Sequence, residues 1–380
     1  MLRALGGVSQ RSVPLIRQRY RLTNVSQQAL PWWRDPAGLF GQFPRVEGGS
    51  ETCDWYRIVD AFLGIESDDA SFRARFRELY SAFRWRSPHA TSNAGWLQCR
   101  VQVANGLSAN LVTFTGSEEF EIVDFIAGVY RERGYVEMHP SANWRSIGVS
   151  GSPTPLLTAQ GAHVLVDASH PWQPLIATCA INWVMGMQRD LLFLHAAAVG
   201  IDGSGILISG EKGTGKSTSS IALAATGHSF FGDEIVAVKP SAMEVFPFRR
   251  AVSIRPGPQS TRVERLLSTA ACSTETFPDG TTRRRGDPNV LFPKSSERSL
   301  PLRFAFFLRA FEESPRAEEF VPRPDDLKLL APMPGTFWCV SPAVPIMQLA
   351  QLLANVKCYL LNPGLPDETA SLIETIVRTG

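Results

Sequence analysis

Residues 205–234 read GILISGEKGTGKSTSSIALAATGHSFFGDE, and the order of chemistry in that stretch decides the fold. An apolar run, Gly205 to Ser209, enters a glycine-rich loop. Gly215-Lys216-Ser217 then opens a segment of helical composition, so strand, loop and helix follow one another as a phosphate-binding loop requires. The loop comprises Gly210, Glu211, Lys212, Gly213, Thr214, Gly215, Lys216, Ser217 and Thr218. Its glycines let successive N–H groups turn inward, where they and the helix N-terminus make a seat for the β- and γ-phosphates of a nucleotide. The Lys216 ammonium is expected to bridge those phosphates and the Ser217 hydroxyl to hold Mg²⁺. The competing reading is a glycine-rich turn with no ligand. Four fixed positions recur by accident in a chain of this size on the order of one per cent of the time, and the strand-helix context lowers that further.

The flanks narrow the reading. The helix after Ser217 runs to about Thr226, because Gly227 reads as its C-terminal stop. A strand, His228 to Phe231, leads directly to Gly232-Asp233-Glu234, so an acidic pair lies seventeen residues after Lys216. An acid at the end of the very next strand is early for a P-loop protein. Upstream, Phe193–Gly200 (FLHAAAVG) and Gly205–Ser209 read as two strands joined through an Asp202-Gly203 turn.

At these residues the chain resembles the catalytic domain of HPr kinase/phosphorylase and its related bacterial kinases. It is similar, more distantly, to phosphoenolpyruvate carboxykinase, which shares the early acid. The match covers about 195–260, with weaker similarity to the chain end. The resemblance implies an α/β P-loop kinase domain preceded by a smaller α+β domain, and phosphorylation of a serine hydroxyl with ATP and Mg²⁺. Carried over by position, Lys216 and Ser217 are phosphate and metal contacts, His195 matches the histidine before the P-loop strand, and Asp233 matches the first acid of an Asp-Asp pair. Two departures stand out. Glu234 occupies the place of the second Asp, and the signature Glu-x-Arg-Gly-x-Gly is reduced to Ser253-Ile254-Arg255-Pro256-Gly257. The second departure argues against HPr itself as acceptor, while Arg255 keeps the signature's cation.

Length and composition bound the rest. The 380 residues predict two or three domains. A net charge of +2 and 44% apolar residues implies neither nucleic acid nor an anionic membrane as partner. Six cysteines lack Cys-x-x-Cys or histidine spacing, which disfavours zinc and a disulfide framework and points to a reduced, cytoplasmic protein. The first 22 residues hold five arginines and no acid, and residues 1–45 are read as a flexible basic tail.

Residues 46–172 are expected to form the α+β domain, a candidate for substrate docking. Within it WYRIVDAFLGIES reads as a strand, and DASFRARFRELYSAFRW as an amphipathic helix with Phe72, Phe76, Leu79, Tyr80 and Phe83 inward. Glu119–Arg133 also has helical apolar spacing. His139 and His163 carry no ligand motif. Pro174–Met187, at fourteen residues, is too short to span a bilayer, which takes about 20, and reads as a buried helix opening the P-loop domain, 173–380.

Beyond the acid pair, VAVKP and MEVFPFRR read as a hairpin and AVSIRPG as a strand. Residues 272–289 read as a solvated loop, with a lid carrying Arg283, Arg284 and Arg285 as the functional alternative. NVLFP and LRFAFFLRAF are strand-like, and the chain closes with a helix at 346–355, a CYLLNPG strand and a helix at 367–378. The mechanism expected is phosphoryl transfer from ATP to a peptide or protein serine. Asp233 takes the proton or orients the hydroxyl, Ser217 with Asp233 or Glu234 holds Mg²⁺, and His195, Lys216 and Arg255 complete the site. A nucleotide-binding module without transfer and a small-molecule kinase remain alternatives. Homo-oligomer formation stays open.

Overall fold

The computed structural model describes residues 17–21, 53–66, 70–85, 97–104, 119–127, 132–139, 144–149, 157–160, 163–167, 181, 184–186, 188, 190–257, 260–267, 272–276, 282–323, 326–327 and 343–380. The first part of the chain contributes strands β1 (Arg17–Arg21), β2 (Cys53–Ile58) and β3 (Ala61–Glu66), helix α1 (Ala70–Tyr80), and strands β4 (Arg84–Trp85) and β5 (Leu97–Ala104). Strands β6 (Glu119–Ala127), β7 (Glu132–His139), β8 (Trp144–Val149), β9 (Leu157–Gln160) and β10 (His163–Asp167) follow. The chain forms two compact units, one of residues 1–44 and 104–172, the other of 45–103 and 173–380. Residues 45–103 therefore group by contact with residues 173–380.

In the first unit the described elements are all strands, in the order β1-β6-β7-β8-β9-β10, each antiparallel to the next. Two expectations are corrected. Arg17–Arg21, read as part of a flexible tail, is a strand whose Arg19 and Arg21 stand opposite Glu121 and Glu119 in register. Of Glu119–Arg133, read as a helix, residues 119–127 are β6 and residues 132–133 begin β7. Its apolar residues Phe120, Ile122, Val123, Phe125 and Ile126 fit a helical stripe and a strand about equally by spacing. Their aromatic and β-branched chemistry favours the strand.

The second unit opens with a hairpin. WYRIVDAFLGIES is two strands, β2 and β3, joined at Val59-Asp60, where Val59 has φ 55°. Helix α1 buries Phe72, Phe76, Leu79 and Tyr80, and Phe83 is buried just beyond, as the periodicity predicts. Asp54 of β2 receives Nε and Nη2 of Arg77 at 2.8 and 2.9 Å, tying the helix to the hairpin.

From residue 190 on, the strands are β11 (Leu192–Leu194), β12 (Ala197–Ile201), β13 (Ser204–Gly210), β14 (Ser229–Gly232), β15 (Val236–Lys239), β16 (Glu244–Phe246), β17 (Val252–Ile254), β18 (Cys272–Thr276), β19 (Thr282–Gly286), β20 (Leu300–Leu308), β21 (Arg316–Glu319) and β22 (Lys357–Asn362). The helices are α2 (Lys216–Ala225), α3 (Ser260–Leu266), α4 (Pro288–Leu291), α5 (Ala343–Leu353) and α6 (Pro366–Thr379). Strand β13, which leads into the glycine-rich loop, lies between β12, antiparallel to it, and β20, parallel to it. Strand β22 runs parallel on the far side of β20, and β14 is the other neighbour of β12. Ile206 and Ile208 of β13 face a core completed by Leu223 of α2 and Ile373 of α6. Leu207 faces the opposite core, with Leu349 and Leu352 of α5. A strand covered on both faces has to be apolar throughout, which is why GILIS reads as an unbroken run. Helix α2 ends as expected. The N–H of His228 reaches Leu223 O and that of Gly227 reaches Ala224 O, closing its C-terminus in a Schellman arrangement.

Three further expectations change here. FLHAAAVG is two strands, β11 and β12, broken at His195-Ala196, because β11 pairs with β15 whereas β12 pairs with β13 and β14. Residues 272–276 and 282–286, read as solvated loop, are the antiparallel strands β18 and β19 next to β17, and they bury Arg283 and Arg285. NVLFP lies on α4 and the residues just after it, its N-terminus capped by the Asp287 carboxylate, which accepts from the Asn289 N–H. Most of Pro174–Met187 lies outside the described residues, as do the side chains of His139 and His163. Among the described residues no helix is long and apolar enough to cross a membrane.

Candidate phosphate-binding site

Gly213 and Gly215 take φ of +91° and +106°, a region side-chain-bearing residues avoid, and this turns the loop back over the start of α2. The first bond of that helix runs from the Ser219 N–H to Gly215 O at 2.8 Å. The N–H groups of Lys216, Ser217 and Thr218 consequently have no acceptor within the helix and point out of its N-terminus. Lys216 is 7% exposed, and its Nζ donates to Gly210 O at 2.8 Å and Glu211 O at 3.1 Å. An ammonium has three hydrogens, so one remains for a further acceptor. Thr214 Oγ1 braces the loop by donating to Glu211 O at 2.8 Å. Glu211 and Lys212 are exposed on the loop's outer side.

The strand after α2 brings the acidic pair back to this point. Ser217 Oγ donates to the Asp233 backbone carbonyl at 3.4 Å. The Asp233 side chain is 5% exposed, and its pKa is raised to about 6, first by burial and then by the neighbouring Glu234 charge, against the pull of Arg250, Arg285 and Ser217. Glu234 behaves in the opposite way. Arg250 Nη1 donates to its Oε2 at 2.8 Å, and the guanidinium holds Glu234 down at about 2 despite burial. Adjacent carboxyls thus divide into one kept near neutral pH and one fixed as an anion.

His195 stands at the break between β11 and β12. Its Nδ1 lies 3.1 Å from the Glu234 carbonyl oxygen, which can only accept, so Nδ1 carries the hydrogen and Nε2 presents a lone pair. Burial, then the Lys216 charge, lowers its pKa and keeps the ring neutral. Burial lowers that of Lys216 too, with Arg255 acting in the same direction. Arg255, exposed just beyond β17, is near enough to act on Lys216, His195 and Glu234. The predicted residues His195, Lys216, Ser217, Asp233, Glu234 and Arg255 therefore gather in one place.

Two further arginines belong to this site, Arg250, which no motif marks, and Arg285, which the sequence offers only in the alternative reading of 272–289 as a lid. Arg250 holds Glu234, and its guanidinium sits 5.8 Å from the Tyr80 ring centroid. Arg285, 5% exposed, donates through Nε to Glu275 at 2.6 Å and acts on both Asp233 and Glu234. The only sequence signal for Arg250 is the basic pair Arg249-Arg250 amid apolar residues; for Arg285 it is the Arg283–Arg285 run. Helix α1 closes over this side. Leu79 O accepts from the Ala251 N–H at 2.8 Å, Phe83 meets Phe248 edge-on at 4.9 Å, and Arg75 pairs with Glu275.

No protein-family model and no curated protein matches the chain in sequence. Among solved structures, the chain is similar to the HPr(Ser) kinase/phosphatase from Coxiella burnetii. The identity is 15%, over 49% of this chain and 94% of that one, with a TM-score of 0.26. At that score the likeness carries no argument, and the site is read from its own geometry. The class that geometry defines is a mixed α/β protein with a glycine-rich loop beside an adjacent pair of acids.

Proposed function

We propose that the chain is a P-loop kinase that transfers the γ-phosphoryl group of ATP to a hydroxyl, most simply a serine of a peptide or protein other than HPr. The observation that carries this reading is the buried Asp233 carboxyl beside Ser217, at the mouth of a loop whose N–H groups and Lys216 suit a triphosphate. A carboxyl with pKa about 6 is ionised at neutral pH, yet basic enough to accept a proton from an attacking hydroxyl.

The residues present fit Mg²⁺, a hard cation satisfied by one or two protein oxygens plus phosphates and water. Ser217 Oγ and Asp233 would hold it, whereas the Glu234 carboxylate is engaged by Arg250. Bound there, the ion would neutralise charge developing on the phosphate oxygens. The chain does the rest by position. Loop N–H groups and the remaining Lys216 hydrogen orient the phosphates, and Asp233 aligns the acceptor hydroxyl and takes its proton at Oδ. Arg255 adds positive charge at the exposed side. His195, donating to the Glu234 carbonyl, fixes the backbone of the acidic pair.

The test is transfer of label from γ-labelled Mg-ATP to candidate acceptor peptides and proteins by wild type, Lys216→Ala and Asp233→Asn. Absence of both transfer and any ATP-dependent thermal shift overturns the reading. A second reading, nucleotide binding without transfer, is favoured by the Glu234–Arg250 pair, which removes one carboxylate from metal binding. It predicts a thermal shift with Mg-ATP and no labelled acceptor.

A further inference from the structure

The polar face of the small sheet β17–β19–β18 carries a set of buried groups that the mechanism leaves unused. Ser253 of β17 is directly opposite Arg285 of β19, and Ser273 of β18 is opposite Arg285 on the other side. Side chains opposite one another share a face. Arg250, three residues before Ser253, reaches the same place, since it and Arg285 both act on Asp233 and Glu234. Three atoms here are buried without a hydrogen-bond partner among the described residues: Arg250 Nε, Ser253 Oγ and Arg285 Nη1. The two arginines are 7% and 5% exposed. One other nitrogen of each is engaged, Arg250 Nη1 by Glu234 and Arg285 Nε by Glu275, so both guanidinium groups are anchored while a donor on each is left over.

A buried donor without a partner is costly, and on a charged group more so. Two such N–H groups and a hydroxyl beside the same acidic pair form a donor set suited to a carboxylate, which accepts from guanidinium groups in a charge-assisted, directional way. Resting on the kinase reading, we propose that Arg250, Ser253 and Arg285 form a subsite for a carboxylate of the acceptor, so that the preferred hydroxyl lies next to an acidic group. The carboxylate comes either from an adjacent acidic side chain or from the end of a peptide chain. Leu79 and Tyr80 of α1 cover this place, through the Ala251 N–H bond and the ring under Arg250, so entry of the anion requires that segment to shift.

The test uses the full chain with Mg-ADP present, so that the loop is filled and no transfer is needed. Three peptides are titrated by calorimetry: Ac-Gly-Ser-OH, Ac-Asp-Ser-NH₂ and Ac-Asn-Ser-NH₂. The subsite predicts that at least one carboxylate-bearing peptide binds about tenfold tighter than the Asn control, the arm that does so naming the source of the charge. Ser253→Glu places a carboxylate of the chain itself in the subsite, the residue type the resembled signature has there. It is expected to melt no lower than wild type and to abolish the charge preference, while Ser253→Leu, lacking an anion, melts lower. Arg285→Gln should also abolish the preference. Equal binding of all three peptides, or a preference unchanged in Ser253→Glu, overturns the proposal. Failure here with ATP binding and labelled transfer intact leaves the kinase reading standing. Failure of ATP binding with the charge preference intact does the reverse.

Discussion

Asp233→Asn is expected to stabilise the protein while disabling it, and the size of the gain follows from the site. The carboxyl titrates at about 6 in the folded chain against 3.8 for an ordinary Asp. Between those values the folded state holds a proton that the unfolded state has released. The group's contribution to stability is therefore full below about pH 4 and lost as pH rises through 6. A lift of about two units at about 1.4 kcal/mol per unit makes the ionised carboxylate a liability of about 3 kcal/mol at pH 8. Asparagine never ionises and nearly matches aspartate in shape, so the variant should be more stable by about 3 kcal/mol at pH 8 and by about half that at pH 5. Denaturant unfolding of both proteins at the two pH values reads this directly. Transfer from Mg-ATP should fall about 10²–10⁴-fold, as for loss of a positioned base, with ATP affinity changed far less. A variant less stable than wild type at pH 8, or a difference independent of pH, would show that the carboxylate is better solvated than its burial implies. Unaltered transfer at saturating Mg-ATP would remove Asp233 from the mechanism.

Mg-ATP at a hundredfold over its dissociation constant should stabilise wild type by about 2.7 kcal/mol, and Lys216→Ala should lose most of that in a thermal-shift titration. Arg250→Met strands Glu234 beside Asp233 and should destabilise by about 3 kcal/mol. Glu234→Gln added to it should recover a large part, measured as a double-mutant cycle in urea. Loss of activity in Glu234→Gln that higher Mg²⁺ restores would give Glu234 a metal role that its pairing with Arg250 argues against. A chain begun at Pro171 should lose solubility or melt well below the full chain, because it uncovers Phe248 and Arg250. A stable, ATP-binding fragment of that length would refute the integration of α1 into the unit formed with residues 173–380.

Much of this was legible because local chemistry and tertiary role agree. The run GILIS is apolar on both faces and buried on both; Asp202-Gly203 makes the predicted turn, with Asp202 at φ 47° and Gly203 at φ 80°; and the stripe from Phe72 to Phe83 is the buried side of α1. What was missed depends on partners distant in sequence. Thr282–Gly286 has no apolar periodicity because its face toward α1 is built from ion pairs. Arg285 is buried by virtue of Glu275, and Glu275 by virtue of Arg75, which lies 200 residues earlier. A composition of arginines and threonines reads as solvated until its counter-charges are located. Likewise nothing local says that residues 45–103 make their contacts with residues 173–380.

The same dependence decides the chemistry of the acidic pair. Asp233 and Glu234 are chain neighbours of one chemical type, and sequence alone offers no reason to separate them. Separation comes from Arg250, which reaches Glu234 at 2.8 Å and so makes its ionisation favourable. That fixed negative charge is in turn one of the two causes lifting Asp233, after burial. A single arginine thereby acts on both acids, anchoring Glu234 as a permanent anion while itself pulling Asp233 down against the lift from burial and from the Glu234 charge. Because Arg250 is held under Tyr80 and beside the Ala251–Leu79 bond, the protonation state of the proposed catalytic acid is tied to the docking of α1. Tyr80→Ala, which removes the ring against Arg250, should then displace the pH–rate profile of transfer along the pH axis, while Phe72→Ala, a deletion elsewhere in the same helix core, should lower stability and leave the profile in place. Coincident profiles for wild type and Tyr80→Ala would sever that link.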